Sequence, residues 1–423
     1  MKLWIKRRIM LRASDLDRRD RLRAKARARR ERAGGARRLQ YFHRFGDPVS
    51  ALMAPLLTEL AERYEVRIEV GLTGPPERAV APEPDQLDAF ARADAARLAE
   101  VFGLSFTDPG VAPDPDRVKE AEARAAAVLD RSDALARIAR IDAALWSGAA
   151  PPEGPAVEPG AALAAGRARR DALGHFQSGA VHYEGEWCWG ADRLHYLETR
   201  LAEEGARLAG EGFLAPPLLE SQARGDARGA VIEVYPSLRS PYTWLAIERV
   251  YALAERWHAR VDLRPVLPMV MRNLPVPQRK GMYFLKDCAR EADRLGLAFG
   301  DIADPVGRPA ERGLAVLMAA LDAGQGQAFV TAFLKGAWSE GINAGTDRGL
   351  KRMCRAAGLD WADARAALAD DGWRARVAAN RDRLSALGLW GVPSFKVGDL
   401  TVWGQDRLWA VEDELRRIGE EPA

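Results

Sequence analysis

Ser240 stands where residue type and local context point most directly to chemistry. The segment Tyr235-Pro236-Ser237-Leu238-Arg239-Ser240-Pro241-Tyr242 follows a short apolar stretch, and a proline such as Pro241 is typical of the first residue of a helix. Unpaired N–H groups and the positive end of the helix dipole stabilise an anionic sulfur placed there. No cysteine occupies positions 240–243, which excludes dithiol exchange at this point. A serine hydroxyl can instead donate a hydrogen bond to a thiolate that a ligand brings, and a plain helix-capping role also stays open.

Much of the chain occurs twice, and the candidate chemistry lies only in the second copy. Pro48 and Pro241 are 193 residues apart, and the pattern from Asp94 to Phe106 recurs 193 residues later. Further on, the motif Trp-Gly-x-Asp-Arg-Leu occurs at 189–194 and at 403–408, an offset of 214. Such fixed spacing is typical of a duplicated unit. The jump in offset predicts that the first copy lacks a segment equivalent to 347–368.

In place of that segment the first copy has a run rich in Pro, Gly and Ala, residues 149–166, which we predict to be a surface loop. The first copy also departs at three positions that matter chemically: Asp47 replaces Ser240, Gly179 replaces Pro393, and Leu87 replaces Lys280. A carboxylate at a helix start repels a thiolate. We therefore expect the first copy to be catalytically silent.

Length and composition predict two domains and a basic arm. The 423 residues suit two cores, which we place at residues 37–208 and 229–423, with a linker at 209–228 and an arm at 1–36. There is no run of 18 apolar residues, and no apolar segment precedes Arg12 as it does in a secretory signal. Cys188, Cys288 and Cys354 are widely separated and form no Cys-x-x-Cys pair, which indicates a reducing compartment. We therefore expect a cytoplasmic protein without a membrane span.

The arm is the basic part of an otherwise acidic chain. Residues 1–38 carry 16 Lys or Arg against 4 Asp or Glu, whereas the whole chain has a net charge of +3. Ser14 is a candidate N-cap for a helix that runs through Ala33 and ends at Gly34-Gly35. The arm can be a solvated helix, or it can contact the acidic body, an anionic membrane face or nucleic acid. We do not expect a nucleic-acid partner, although the arm leaves that question open.

Hydrophobic patterns in the second copy predict the order β-α-β, a helical insertion, then β-β-α. A strand, a helix and a strand with short joints predict a right-handed parallel unit. The fold class is therefore α/β, with the same fold expected twice. The predicted elements are strands at 231–235 and 260–266, a helix at 241–257, nearly continuous helix over 282–387, a hairpin of 394–397 with 401–403, and a last helix at 406–418.

Four motifs in this order resemble the thioredoxin-like DsbA superfamily, and within it the branch of 2-hydroxychromene-2-carboxylate isomerases and kappa-class glutathione transferases. They are Ser240-Pro241-Tyr242, Lys280-Gly281-Met282-Tyr283, Gly391-Val392-Pro393 and Trp403-Gly404-Gln405-Asp406-Arg407-Leu408. The resemblance covers nearly all of the second copy closely and the first copy only at framework positions. It implies tandem thioredoxin-like folds of the DsbA and kappa type, with glutathione as the ligand whose sulfur meets Ser240.

The same resemblance implies roles for four further residues. Pro393 is expected to be the cis-proline of thioredoxin-like proteins, which turns the backbone of Val392 toward the cysteinyl part of glutathione. Lys280 is expected to pair with the glycyl carboxylate or with an anionic substrate, and Asn273 to join it. A role as an ordinary surface lysine stays open for Lys280.

Gln405 and Asp406 are expected, by the same resemblance, to hold the γ-glutamyl group at the start of the last helix. Asp192 nevertheless persists in the first copy, where the rest of the site is gone, so a capping role for Asp406 stays open. We expect no metal site, because the five histidines lie at no metal-ligand spacing.

The predicted function is that of a glutathione-dependent isomerase or transferase acting on an electrophilic substrate, aromatic or an unsaturated carboxylate. The alternatives are a non-catalytic two-domain scaffold and a thiol-disulfide oxidoreductase that uses a single cysteine. Because relatives of this branch tend to be homodimers, we expect the two copies to pair within the chain, with a homodimer still possible. The expected partner is a small-molecule substrate.

Overall fold

The computed structural model describes residues 2–420, with side chains from Arg7 onward. Met1 of the predicted arm and residues 421–423 of the second predicted domain lie outside the described residues. Contacts divide the chain into two compact units, with borders at residues 18–19 and 217–218. We call Arg19–Pro217 the first domain, and Leu218 onward together with the residues before Arg19 the second domain.

The first domain contains a four-stranded sheet with helices inserted between its second and third strands. The strand order is β2-β1-β3-β4, with β1 parallel to β2 and antiparallel to β3. Its elements are α2 (Leu16–Arg32, which starts just before the border), β1 (Arg38–His43), α3 (Pro48–Arg63), β2 (Arg67–Leu72), α4 (Pro84–Phe102), α5 (Pro115–Ala126), α6 (Ala134–Ser147), α7 (Gly160–Ala172), β3 (Ala180–Tyr183), β4 (Glu186–Trp189) and α8 (Leu194–Glu203).

The second domain repeats this topology with a longer helical insertion. Its sheet order is β6-β5-β7-β8, with β5 parallel to β6 and antiparallel to β7. Its elements are α1 (Lys2–Ser14), β5 (Val231–Tyr235), α9 (Pro241–Arg256), β6 (Arg260–Leu263), α10 (Gln278–Arg294), α11 (Arg308–Asp322), α12 (Gly326–Trp338), α13 (Asp347–Ala356), α14 (Trp361–Ala367), α15 (Trp373–Ala386), β7 (Ser394–Val397), β8 (Leu400–Trp403) and α16 (Leu408–Glu420).

The duplication and the α/β fold predicted from the sequence are confirmed by these two sheets, each with one parallel pair. Alternation of buried and less buried residues explains the strands: β5 buries Ile232 and Val234 against the helices. The predicted deletion is also confirmed, because α13 and α14 have no counterpart between α6 and α7. The strand predicted at 260–266 is shorter than expected and ends at Leu263 before Pro265.

The prediction of a loop at 149–166 is wrong for its last part, because α7 begins at Gly160. The prolines that break helical pattern end at Pro159, and the Ala-rich stretch that follows has high helix propensity. Helix α7 packs on β2 so closely that a Cβ on Gly166 would lie 2.0 Å from the carbonyl oxygen of Leu72. At the equivalent point of the second domain, the side-chain amide of Asn380 donates to the carbonyl oxygen of Pro265 at 3.0 Å.

The predicted arm forms two helices rather than one. Ser14 is the last residue of α1, where its hydroxyl donates back to the carbonyl oxygen of Met10. Asp15 caps α2 instead, its carboxylate accepting from the N–H of Arg18 at 2.8 Å. The helix ends as predicted, with Gly34 at φ +58° and the N–H of Gly35 donating to Arg30.

No helix between residues 2 and 420 combines the length and apolar character needed to cross a bilayer. His43, His175 and His195 are buried, and the described side chains form no group of His, Cys, Asp or Glu that could hold a metal ion.

Candidate active site

Ser240 lies at the start of α9, where its side chain caps the helix. Its hydroxyl oxygen accepts from the N–H of Thr243 at 3.2 Å, and Pro241 fills the first helical position. The hydroxyl proton points across to the carbonyl oxygen of Val392 at 3.4 Å. Ser240 therefore caps the helix and presents its one donor to the loop before β7, so the capping and thiolate-binding roles are compatible.

The loop before β7 carries the cis peptide bond between Val392 and Pro393. This confirms the cis-proline prediction. Strand β7 begins at Ser394, so the N–H and C=O of Val392 lie outside the ladder. Ser394 stabilises this loop, because its buried hydroxyl donates to the carbonyl oxygen of Gly391 at 2.9 Å. The backbone of Val392, next to Ser240, thus lies just before the strand and is available for pairing with a peptide ligand.

Lys280 lies in the first turn of α10 and is buried between two aromatic rings. Its ammonium is 5.8 Å from the ring centre of Phe284 and 5.7 Å from that of Trp390, both within cation–π range. The ring of Phe284 in turn meets Tyr242, the second residue of α9, at 5.6 Å. Burial lowers the pKa of Lys280 to about 8. Through these contacts the start of α9, the loop before β7 and the start of α10 meet at one place.

Sequence reasoning missed Phe284, Trp390 and Arg272. Phe284 stands four residues after Lys280, a spacing that puts both on one helix face and could have been noticed. Arg272 donates to the carbonyl oxygen of Trp390 at 2.9 Å, and burial lowers the pKa of its guanidinium to about 10. Asn273 ends the short 3₁₀ turn 269–272 at φ +60° and is exposed. Arg272 therefore contacts the candidate site through Trp390, and the role expected for Asn273 stays a prediction.

Gln405 is buried and held by other side chains. Its amide nitrogen donates to Glu291 at 2.8 Å, and its amide oxygen accepts from Arg249 at 2.6 Å. The carboxylate of Asp406 lies against the next residue of the chain, with its Oδ1 3.3 Å from the guanidinium of Arg407. Both residues lie in the short 3₁₀ turn before α16. The side chain of Gln405 thus positions this turn, which leaves the Asp406 carboxylate and the local backbone as the groups that can meet a ligand.

Arg239, next to Ser240 in the chain, is paired with a carboxylate of the same domain. It forms a bidentate ion pair with Asp304, with distances of 2.7 and 3.0 Å. Cys188, Cys288 and Cys354 form no disulfide, and all three are buried. Burial raises the pKa of Cys354 to about 11, which makes its thiol a poor nucleophile.

Residues 231–416 match the family model of the DSBA-like thioredoxin domain. The second domain contains a DSBA-like thioredoxin domain. No curated protein matches the chain. Solved structures similar to parts of it include a 2-hydroxychromene-2-carboxylate isomerase, with 21% identity and a TM-score of 0.39 over 44% of this chain and 95% of that one.

A thioredoxin-like oxidoreductase from Silicibacter pomeroyi DSS-3 has 19% identity and a TM-score of 0.31, over 45% of this chain and 88% of that chain. The cytosolic disulfide reductase DsbM from Pseudomonas aeruginosa has 19% identity and a TM-score of 0.35, over 44% and 96%. That reductase has also been solved with GSH.

The position equivalent to the DSBA-like site is filled in the first domain. Asp47 caps α3 as Ser240 caps α9, and its carboxylate accepts from the hydroxyls of Ser50 and Ser178, both at 2.7 Å. Gly179 stands where the DSBA-like domain has Pro393, and its φ of +63° is one that proline cannot adopt. A Cβ there would lie 2.6 Å from Val49. In the first domain the carboxylate at the helix start is therefore hydrogen-bonded to two serine side chains, and residue 179 has no room for a side chain.

A buried polar cluster, also missed from the sequence, lies beneath Asp47. The ring of His43 bonds to the hydroxyl of Tyr41 at 2.9 Å, and its other nitrogen lies 3.6 Å from Asp142. Burial lowers the pKa of His43 to about 3 and raises that of Asp142 well above its usual range. The equivalent positions of the DSBA-like domain hold Pro236 and Leu334, both buried. The first domain thus has ionisable residues where the DSBA-like domain has apolar ones.

Proposed function

We propose that the DSBA-like domain activates the thiol of glutathione at Ser240, and that the protein is a glutathione-dependent isomerase or transferase. The observation that carries this proposal is the placing of the Ser240 hydroxyl, at a helix N-terminus and directly beside the Val392–Pro393 cis bond. A thiolate accepting from this hydroxyl would replace the long contact to Val392 with a charge-assisted hydrogen bond. The helix dipole adds to that stabilisation.

The residues around Ser240 fit the remaining parts of glutathione. The N–H and C=O of Val392, free of the ladder, can pair with the backbone of its cysteinyl residue. Asp406 can take the γ-glutamyl ammonium, and Lys280 a carboxylate. Bound glutathione would supply a sulfur that adds to an electrophilic double bond and then either leaves after rotation or stays on the product.

The same residues favour a planar, anionic second substrate. Phe284 and Trp390 present aromatic faces on either side of the Lys280 ammonium. As the alternative to a carboxylate of glutathione, Lys280 can meet the charge of an aromatic or unsaturated carboxylate whose ring contacts the aromatic side chains. Isomerisation and transfer both follow from this arrangement, and a product assay with candidate substrates separates them.

An ultraviolet difference titration of reduced glutathione into the full chain tests the proposal. Thiolate absorbance near neutral pH is expected for the natural protein and for Ser237→Ala, and its loss for Ser240→Ala. Ser237 is a matched control because it is buried three residues before Ser240 and its side-chain oxygen has no hydrogen bond. Absence of thiolate in the natural protein would refute the proposal and favour the scaffold. Turnover that survives in Ser240→Ala and is lost when the three cysteines become alanine would favour the oxidoreductase.

A further inference from the structure

Helix α2 carries cations on two opposite faces that the structure uses differently. With 3.6 residues per turn, Arg23 and Arg30 share one face, which we call the inner face. The opposite face holds Arg18, Arg21, Lys25, Arg29 and Arg32, which we call the outer stripe. The helix buries none of its residues, so packing in an apolar core does not explain why it is folded against the protein.

The inner face is fixed to the first domain by ion pairs. Arg23 binds both carboxylate oxygens of Glu186 at 2.9 Å. Arg30, with 8% of its side chain exposed, pairs with Glu184 at 2.6 Å and Glu204 at 2.7 Å. Because these pairs are short and partly buried, they set the rotation of the helix about its axis. The outer stripe is consequently held on the side that faces solvent.

The outer stripe is exposed at all five positions. Within the described part of the chain, Arg18, Lys25 and Arg29 form no ion pair. Of the three acidic residues of the helix, Asp20 and Glu31 lie on a flank, where they pair with Arg19 and Arg27, and Asp17 lies in the first turn, next to Arg18 and one turn before Arg21. From the first cation to the last, the stripe spans about 21 Å at 1.5 Å per residue.

We propose that the outer stripe is a docking surface for nucleic acid, which it would bind through the sugar–phosphate backbone and without regard to base sequence. From Arg21 to Arg32 the exposed cations of the stripe have no carboxylate between them on this face of the helix, and such a row is complementary to a row of phosphates. A membrane face fits less well, because helices that lie in a bilayer carry a large apolar face, whereas the stripe consists of cations and the large apolar residue exposed beside it is Leu22. The inner face cannot supply one, since it is ion-paired to the protein.

Fluorescence anisotropy with a labelled 20-base-pair duplex of arbitrary sequence, and with the matching single strand, tests this docking surface on the full chain. The key variant changes all five stripe residues to Gln, which keeps helix propensity and removes the charge. A control variant changes five exposed arginines elsewhere, Arg348, Arg352, Arg355, Arg365 and Arg376, to Gln. Circular dichroism confirms that both variants fold.

The stripe variant is expected to bind at least about tenfold more weakly, and the control to bind like the natural protein. Between 50 and 200 mM salt, affinity should fall about 10-fold to 500-fold, as two to five phosphate contacts require. An equal loss of affinity in both variants would overturn the docking surface, because binding would then depend on the total charge of the protein and not on the stripe. Tighter, stripe-dependent binding to vesicles of 30% phosphatidylglycerol would assign the stripe to membranes, and absence of binding to all three probes would leave it a solvated face.

Discussion

The hydroxyl oxygen of Ser240 and the carbonyl oxygen of Val392 lie 3.4 Å apart, although 152 positions separate the two residues in the chain. This contact joins the start of α9 to the loop that contains the cis bond. A serine hydroxyl has one proton, so an incoming thiolate must compete with Val392 for it. At 3.4 Å the existing hydrogen bond is long and therefore easy to replace.

Capping and thiol activation by Ser240 can be separated with Ser240→Asp. Asp47 occupies the equivalent position of the first domain and caps its helix by accepting from Ser50, so aspartate is compatible with this fold. The free energy of unfolding should change by less than about 1 kcal/mol, because aspartate and serine cap equally well. The carboxylate should repel a thiolate, so the thiol pKa of bound glutathione should rise toward its free value. Retained thiolate absorbance in this variant would contradict activation by the hydroxyl.

The charge of Lys280 should make ligand binding depend on pH. Burial lowers the pKa of Lys280 to about 8, so its ammonium is present below that pH and is lost above it. Affinity for S-methylglutathione, which has no thiol to titrate, should therefore weaken as pH rises through about 8. Lys280→Met should bind at least about fivefold more weakly at pH 7, and calorimetry should show no step near pH 8. A step of equal size in the variant would exclude Lys280 as its cause.

The same substitution has an effect of opposite sign on stability. The lysine is harder to protonate in the folded protein than in the unfolded chain, so its charged form is destabilising below about pH 8. Lys280→Met should therefore unfold at higher denaturant concentration than the natural protein at pH 7. The difference should shrink as pH rises from about 8 to the ordinary lysine value.

We expect one glutathione site per chain, because the first domain fills its own equivalent. Asp47→Ser should not create a second site, since Gly179 lacks the proline geometry and Val49 lies against it. Isothermal titration should give a stoichiometry near one for the natural protein and for the variant. A value near two in the variant would show that Asp47 alone blocks the first domain.

The fold and the main-chain framework of the site can be predicted from the sequence, whereas most individual side-chain contacts cannot. Fixed spacings of prolines and of the Trp-Gly-x-Asp-Arg-Leu motif predict the duplicated topology, since they mark helix starts and turns that local chemistry determines. Arg272 could not be assigned in the same way, because its partner is the carbonyl oxygen of Trp390, which any residue type possesses. Helix α7 could not be predicted, because the prolines of residues 149–159 indicate a loop and the contact of Gly166 with Leu72 depends on the tertiary structure.

Asp142 should weaken the first domain. It is buried, its carboxylate oxygens have no hydrogen bond of ordinary geometry among the described residues, and the nearby donor is the indole N–H of Trp146. Asp142→Leu restores the residue type found at the equivalent Leu334, and should raise stability by about 1–3 kcal/mol. Hydrogen exchange of peptides from α6 and β1 should slow accordingly. Faster exchange would mean that the carboxyl group has a partner essential to the fold.

Gly166 should tolerate no side chain. Because a Cβ there would lie 2.0 Å from the carbonyl oxygen of Leu72, Gly166→Ala must push α7 from the sheet at a cost of about 3 kcal/mol. Gly160→Ala, at the start of the same helix, is the matched control, since its nearest neighbour is the end of a flexible glutamate at 3.4 Å. Equal denaturation midpoints for the two variants would show that α7 can move outward freely.

The turn before the last helix has the same geometry in both domains. The N–H of Gly404 donates to Pro393 at 2.9 Å, that of Gly190 donates to Gly179 at 3.0 Å, and an aspartate lies against the following arginine in each turn. The two domains of one chain can thus be compared with each other: an arrangement that both share is explained by the fold and does not need a shared chemistry. By this criterion the aspartate–arginine contact of Asp406 belongs to the fold that the two domains share, whereas Ser240, Lys280 and Pro393, replaced in the first domain by Asp47, Leu87 and Gly179, are positions at which the chemistry of the two domains can differ.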